Sequence, residues 1–210
     1  EYGLRLVGKF RSKGGQVLDV SREVFERLAQ KEGPQGIAAV VRQRWTTLDD
    51  VRITPGKTWV ALDSVADPGN LGTILRTCDA VGGQGVILLD QSTDPYDPSA
   101  VRASMGALFD QQVVRCALEE FISWKKAARA WVVGTSGAAE VDYHEYRFPS
   151  ELVLLMGSER QGLQARHLEI CDALVRIPMV GKSDSLNLAV ATAVTLYEVF
   201  NQRRDGGGAV

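Results

Sequence analysis

The sequence is poor in the residues that metal sites and disulfide frameworks need. Its three cysteines, Cys78, Cys116 and Cys171, are odd in number, far apart and free of CxxC spacing. Each sits among apolar neighbours, which predicts buried, reduced thiols. The only two histidines, His144 and His167, are read as lacking cysteine or carboxylate partners at ligand spacing, so no zinc or iron site is expected. No apolar run approaches the roughly 18 residues that cross a bilayer. A charged-then-apolar leader is missing too, and a cytoplasmic rather than secreted protein is expected. Net basic charge is also missing, since 24 Lys and Arg face 26 Asp and Glu for a net −2. That balance argues against a polyanion-binding surface spread over the whole molecule. It still allows a local one, because Arg5, Lys9, Arg11, Lys13 and Arg22 cluster early, followed by Arg42 and Arg44.

What remains is ample for folding. With 210 residues, 45% of them hydrophobic, the chain can form one full domain and a small appendage. From Trp59 onward short apolar runs alternate with amphipathic stretches. The predicted strands are Trp59–Asp63, Gly85–Leu89, Gln112–Cys116, Ala130–Gly134, Glu151–Gly157 and Leu174–Ile177. The predicted helices are Asn70–Gly82, Pro98–Phe109, Leu118–Arg129, Gln161–Cys171 and Ser185–Arg203, the first capped by Asn70 and stopped by Gly82-Gly83. Strands rich in Val, Ile and Leu without polar alternation are buried on both faces. This predicts an α/β fold with a mostly parallel sheet flanked by helices.

Residues 1–46 read differently: a basic, β-like start, a helix over Ser21–Lys31, a Gly33-Pro34 break and a strand over Ile37–Val41. Residues 47–58 read as a linker, 59–204 as the main domain and 205–210 as a frayed tail. Because the chain opens at Glu1 rather than Met, an upstream portion is expected to precede it.

The common α/β motifs fail. The first strand-to-helix turn, Asp67-Pro68-Gly69-Asn70-Leu71-Gly72, is not GxGxxG. A P-loop ending at Gly181-Lys182-Ser183 would need glycine where Arg176 stands. A nucleophile elbow at Ser104 would need glycine where Arg102 stands. Three polar clusters at strand ends survive, where open α/β sheets bind ligands. They are Asp67–Thr77, Gly157–Gly162 and Ile177–Asn187. Singly, each has a plain alternative: Asn70 as a cap, Glu159 as a cap for the helix after it, Asp184 or Ser185 as a cap for the last helix.

Together, and in this order, the clusters resemble the signature motifs of the SpoU/TrmH family of the SPOUT superfamily. Those motifs are DPxNxGxxxRT, GxExxG and IPMxGxxxSLNxxxAxxxxxYE, the last running here to Tyr197-Glu198. Arg102-Ala103-Ser104-Met105-Gly106-Ala107 resembles a fourth family segment. The resemblance spans residues 59–200 with no departure at a catalytic position. Gly33–Val40 looks like the end of an L30e-like RNA-binding domain, so residues 1–46 would be part of one.

The resemblance implies a C-terminal deep trefoil knot, S-adenosylmethionine as cofactor, a homodimer with its active site at the subunit interface, and no metal. It implies transfer of a methyl group to a ribose 2′-hydroxyl of structured RNA. An rRNA such as 23S is favoured over tRNA, because the L30e-like remnant is more typical of rRNA-modifying members and the basic terminal extensions usual in the tRNA enzymes are not seen; a catalytically silent ribosome-assembly factor is the other alternative. Carried over position by position, Asn70, Arg76, Glu159, Ser185 and Asn187 are the catalytic candidates. Thr135, Ser136, Gly157, Ile177, Met179 and Leu186 would hold the cofactor. Arg102, Arg5, Lys9 and Arg11 would contact RNA. For the ribose proton two routes stay open: Arg76 acts as base with help from an RNA phosphate, or Arg76 stabilises the alkoxide while solvent takes the proton.

Overall fold

Seven short strands lie side by side in one sheet, and every neighbouring pair runs parallel. The computed structural model describes residues 2–29 and 33–205. The chain divides at Gln43–Arg44 into two units.

The first unit holds two helices, α1 (Tyr2–Ser12) and α2 (Arg22–Ala29), and neither has a buried residue. The expected β-like start is therefore helical. Leu4 and Leu6 flank Arg5 with a two-residue alternation that mimics a strand, yet among the described residues no partner strand receives it. Helix α2 begins one residue after the expected Ser21, whose Oγ accepts from the Val24 N–H at 3.3 Å. It ends at Ala29; the expected end, Gln30 and Lys31, lies outside the described residues. The i,i+4 pairs Arg22–Glu26 (2.7 Å) and Arg27–Glu23 (2.9 Å) lace its exposed side. Ile37–Val41, expected as a strand, pairs with nothing among the described residues.

The second unit begins with a segment read as a linker that in fact packs. Thr46 bridges to Val114, Leu48–Asp50 forms a 3-10 turn, and Val51 is buried beside Trp59 and Phe121. There follow β1 (Thr58–Asp63), α3 (Pro68–Ala80), β2 (Gly85–Leu89), α4 (Pro98–Ala103), β3 (Gln112–Cys116), α5 (Leu118–Ala128) and β4 (Val132–Thr135). The chain ends with β5 (Val141–Asp142), β6 (Leu152–Met156), α6 (Ala165–Glu169), β7 (Ala173–Arg176) and α7 (Leu188–Asp205). Across the sheet the strand order is β3-β2-β1-β6-β4-β7-β5.

Alternate residues of the central strands feed cores on the two faces of the sheet. Val60 and Leu62 join Leu71, Ile74 and Leu75 of α3 and Leu196 of α7 on one face. Trp59 and Ala61 join Leu118 and Phe121 of α5 on the other. This double burial explains why the strands carry no polar alternation. No described helix is long and apolar enough to cross a membrane.

Helix bounds differ from expectation for local reasons. The cap of α3 is Asp67, not Asn70: its Oδ1 accepts from the Asn70 N–H at 2.8 Å, and Pro68 suits the first helical position. The stretch expected as one helix over Pro98–Phe109 breaks after Ala103. Met105 (φ 51°) and Gly106 (φ 99°) turn left-handed before a 3-10 turn at Ala107–Phe109. Gln161–Cys171 shortens to α6 because residues 158–162 close into a turn, with the Gly162 N–H donating to the Ser158 carbonyl at 2.9 Å. The last helix starts at Leu188 rather than Ser185 and runs into Asp205, the first residue of the expected tail; the rest of that tail lies outside the described residues.

All strands being parallel, the loops after β1, β6, β4 and β7 leave the sheet at the same end. These four strands are adjacent, so the three motif-bearing loops meet there.

Candidate functional site

At that end lies a cavity of about 630 Å³, within the range of small-molecule and cofactor sites. Thr135 and Ser136 from the end of β4, Gly157 after β6, and Ile177, Met179 and Leu186 after β7 all line it. The six residues expected to share one ligand are thus brought together. Glu159 and Ser185 also face the cavity.

The local backbone explains why glycines frame it. A Cβ on Gly157 would lie 2.1 Å from the Gly162 carbonyl carbon, so the turn closes only without a side chain there. Gly162 itself adopts φ 63°. The tight turn aims Glu159 back toward β1. Its carboxylate accepts from the Ala66 N–H (3.0 Å), the Asn70 Nδ2 (3.0 Å) and the Asp67 N–H (3.4 Å). Glu159 therefore caps the start of α3, not the helix that follows it, where the helix dipole also favours negative charge.

From Asn70 the chain of contacts continues. Asn187 Nδ2 donates to Asn70 Oδ1 at 3.0 Å. Asn187 Oδ1 in turn accepts from the Ala189 and Val190 N–H groups at 2.9 and 3.3 Å, capping α7. Glu159, Asn70 and Asn187 thus join one residue from each of the three motifs. The Ser185 hydroxyl lies 3.5 Å from Asp184 Oδ1.

Arg76 is placed elsewhere. It lies exposed on α3, six residues and about 9 Å of helical rise beyond Asn70, and is not among the cavity-lining residues. Among the described residues its guanidinium engages no hydrogen bond or ion pair. Arg102 is exposed on α4, its Nη2 donating to Ser99 Oγ at 3.3 Å, outside the cavity. Arg5, Lys9 and Arg11 sit exposed on α1 of the first unit, with Arg11 3.7 Å from Asp19.

Among the cavity residues not singled out as site residues by sequence are two arginines, Arg160 and Arg176. Arg160 sits inside the second motif and Arg176 directly before the third, so adjacency was the available signal. Asp142, on the two-residue β5, holds Arg176 at 2.6 Å and secures its positive charge, raising the guanidinium pKa through that hydrogen bond. No sequence pattern pointed to Asp142. His144, expected to lack carboxylate neighbours, groups with Asp142 and Glu145, their ligand-capable atoms within 4.8 Å of one another. With Arg176 on Asp142, this is an exposed charge cluster.

The three thiols are held protonated. Burial pushes Cys78, Cys116 and Cys171 each up to about 12.

Comparison with known proteins agrees with this arrangement. The sequence profile described as the SpoU rRNA Methylase family matches residues 57–197. A 23S rRNA (uridine(2479)-2′-O)-methyltransferase of Streptomyces viridochromogenes is 36% identical over 191 residues, 88% of this chain and 67% of the relative. The 23S rRNA (guanosine(2553)-2′-O)-methyltransferase RlmP of Bacillus subtilis is 33% identical over 186 residues, 89% of this chain and 73% of the relative. Among solved structures, the AdoMet-bound rRNA methyltransferase from Sinorhizobium meliloti superposes with a TM-score of 0.89. It is 42% identical, over 96% of this chain and 76% of that one. Profile, relatives and fold converge: the chain belongs to the SpoU rRNA methylase family.

Proposed function

We propose that this protein transfers a methyl group from S-adenosylmethionine to a ribose 2′-hydroxyl of rRNA, in the cytoplasm, with 23S rRNA as the substrate. The observation that carries the reading is the cavity in which three distant segments converge, fastened by the Glu159–Asn70–Asn187 hydrogen bonds.

The residues present fit the cofactor. Ile177, Met179 and Leu186 offer an apolar wall, with Met179 and Leu186 still 38% and 37% exposed. Thr135 and Ser136 offer hydroxyls, and side-chain-free Gly157 lets backbone approach closely. When bound, S-adenosylmethionine supplies an electrophilic methyl group on a sulfonium. The protein then has to position the ribose oxygen and exclude water.

Glu159 already accepts three hydrogen bonds and is a positioning group rather than a base; Asn70 and Asn187 share that role. Ser185, on the cavity wall, orients the ribose. Arg76 is not the base, because a guanidinium does not give up its proton in proteins. Its role is to stabilise the developing oxygen anion while solvent takes the proton.

Because Arg76 lies outside its own chain's cavity, a second copy completes the site. The outward face of α7 supports this: Val190 and Tyr197, seven residues apart on one side, are 48% and 47% exposed. The knot of the family is inferred here too. Its support is β6 lying between β1 and β4, and a chain that leaves β7 yet returns to set α7 against α3.

Calorimetric titration with S-adenosylmethionine and tritiated-methyl transfer to 23S rRNA from cells lacking the gene test the reading. The Arg76→Ala variant is expected to bind cofactor normally and transfer nothing. Near-normal incorporation by that variant would eliminate Arg76 as the central residue.

A further inference from the structure

Beside the sheet's β3 edge is an aromatic and basic cluster outside the cavity described above. Trp45 packs edge-on against Tyr96, ring centroids 5.5 Å apart at 71°. The Arg115 guanidinium lies over the Trp45 ring, 5.2 Å from its centroid, and donates to the Thr93 carbonyl at 2.8 Å. Tyr96 Oη accepts from the Arg44 N–H at 2.8 Å and donates to the Arg44 carbonyl at 2.6 Å. Thr46 fastens the same segment to β3 through the Val113 carbonyl at 2.9 Å.

These backbone bonds anchor residues 44–46 to Tyr96 and β3. Trp45 is held in one orientation with 39% of its surface exposed. The nearby carboxylates Asp94 and Asp97 accept from the Tyr96 and Ser99 N–H groups at 2.9 and 2.7 Å. The exposed Arg44 and Arg115 bring two positive charges to this segment in a chain of net −2. An immobilised indole among arginines is the arrangement that stacks unpaired bases and pairs with phosphates. Strand β3 is two places from β1, about 10 Å across the sheet, so the cluster adjoins the face that carries Arg76.

We propose that Trp45, fixed by Tyr96 and Arg115, stacks an unpaired base of the RNA substrate close to the methylated nucleotide. This rests on the rRNA methyltransferase reading and adds a recognition position to it.

The test uses the full chain and a short oligoadenylate, followed by tryptophan fluorescence and by anisotropy of a labelled oligomer. Wild type is expected to bind with quenching. Trp45→Leu should weaken binding about tenfold, the order expected for one stacked base, and raise the KM for rRNA while kcat holds. Trp45→Phe should keep part of the affinity and lose the quenching, and Arg115→Gln should weaken binding in the same assay. Melting temperature and S-adenosylmethionine affinity should stay at wild-type values in both Trp45 variants. Wild-type oligomer affinity in Trp45→Leu, or a lowered melting temperature with unchanged affinity, would overturn the proposal and leave Trp45 as a structural anchor. Failure of the wild type to methylate any rRNA would sink the enzymatic reading instead, whatever the fluorescence shows.

Discussion

Asn187 and Asn70, 117 positions apart in sequence, face each other through a 3.0 Å hydrogen bond between their side-chain amides. The same Asn187 caps α7 with its oxygen, so one side chain sets both a helix start and a contact between two motifs. The two roles are separable. Asn187→Asp keeps the capping oxygens but loses the amide donor to Asn70 and puts a carboxylate against an acceptor. Its melting temperature should stay near wild type while methyl transfer collapses. Asn187→Ala loses both and should in addition cost about 1 kcal/mol of stability. Denaturant melts beside tritiated-methyl assays check this; equal activity in Asn187→Asp and wild type would remove the contact from the mechanism.

Helices α3 and α4 pack in close contact at Gly72, one turn before Arg76. A Cβ on Gly72 would lie 2.3 Å from the Ala100 carbonyl oxygen and 2.6 Å from the Ala103 Cβ. Both obstacles belong to α4 and neither is a flexible chain end. Gly72→Ala should therefore destabilise the fold by about 1–3 kcal/mol despite alanine's better helix propensity. For a chain this size that is roughly 2–4 °C per kcal/mol. Calorimetric melting is the check, and a stabilised variant would show that α3 and α4 separate freely.

How legible these features were depended on how many constraints acted on each residue. Strands β2 and β3 agree with expectation residue for residue, because Val86–Leu89 and Val113–Val114 are buried on both faces and nothing else accommodates them. The six residues lining the cavity were named from motif wording, not from periodicity. The course of the Glu159 carboxylate was not legible, because it depends on the 158–162 turn doubling back onto α3. Strand β5 escaped notice because two residues carry no period. Helix α1 misled because its side chains are all exposed or half-buried, so no core selected between an alternating and a helical reading. Arg76 was legible as a motif residue, but its separation from the cavity was not.

Thiol chemistry supplies a pH prediction. Unfolded thiols ionise near 9, whereas Cys78, Cys116 and Cys171 ionise at about 12 in the folded chain. The unfolded state therefore loses its protons first as pH climbs. The contribution of these groups is complete below pH 9 and is lost progressively as pH rises toward 12. At pH 8 the native protein should react slowly with a thiol-directed disulfide reagent, while the denatured protein should release all three equivalents at once. Rapid native labelling of Cys78, which is fully buried, would contradict the packing around it.

Arg203 carries the last prediction. Near the end of α7, its Nη1 donates to the Gly56 carbonyl at 3.1 Å and to Thr58 Oγ1 at 2.8 Å. Its Nη2 donates to the carbonyls of Ser150 at 3.1 Å and Lys57 at 3.4 Å. One guanidinium thereby ties the last helix to the entrances of β1 and β6, at the end of the sheet opposite the cavity. Burial pulls its pKa down, yet an arginine stays charged, so the bonds hold across the working pH range. Removing them leaves the part-buried Thr58 hydroxyl without this donor and frees the last helix from three exposed carbonyls, at a cost of about 1–3 kcal/mol. Lysine can reach one or two acceptors but cannot span the set, so Arg203→Lys should recover only part of the loss seen in Arg203→Ala. Both variants should bind S-adenosylmethionine with wild-type affinity below their melting temperatures, because the cavity lies across the sheet. A calorimetric affinity that falls together with stability would mean that α7 transmits strain along its length to Asn187.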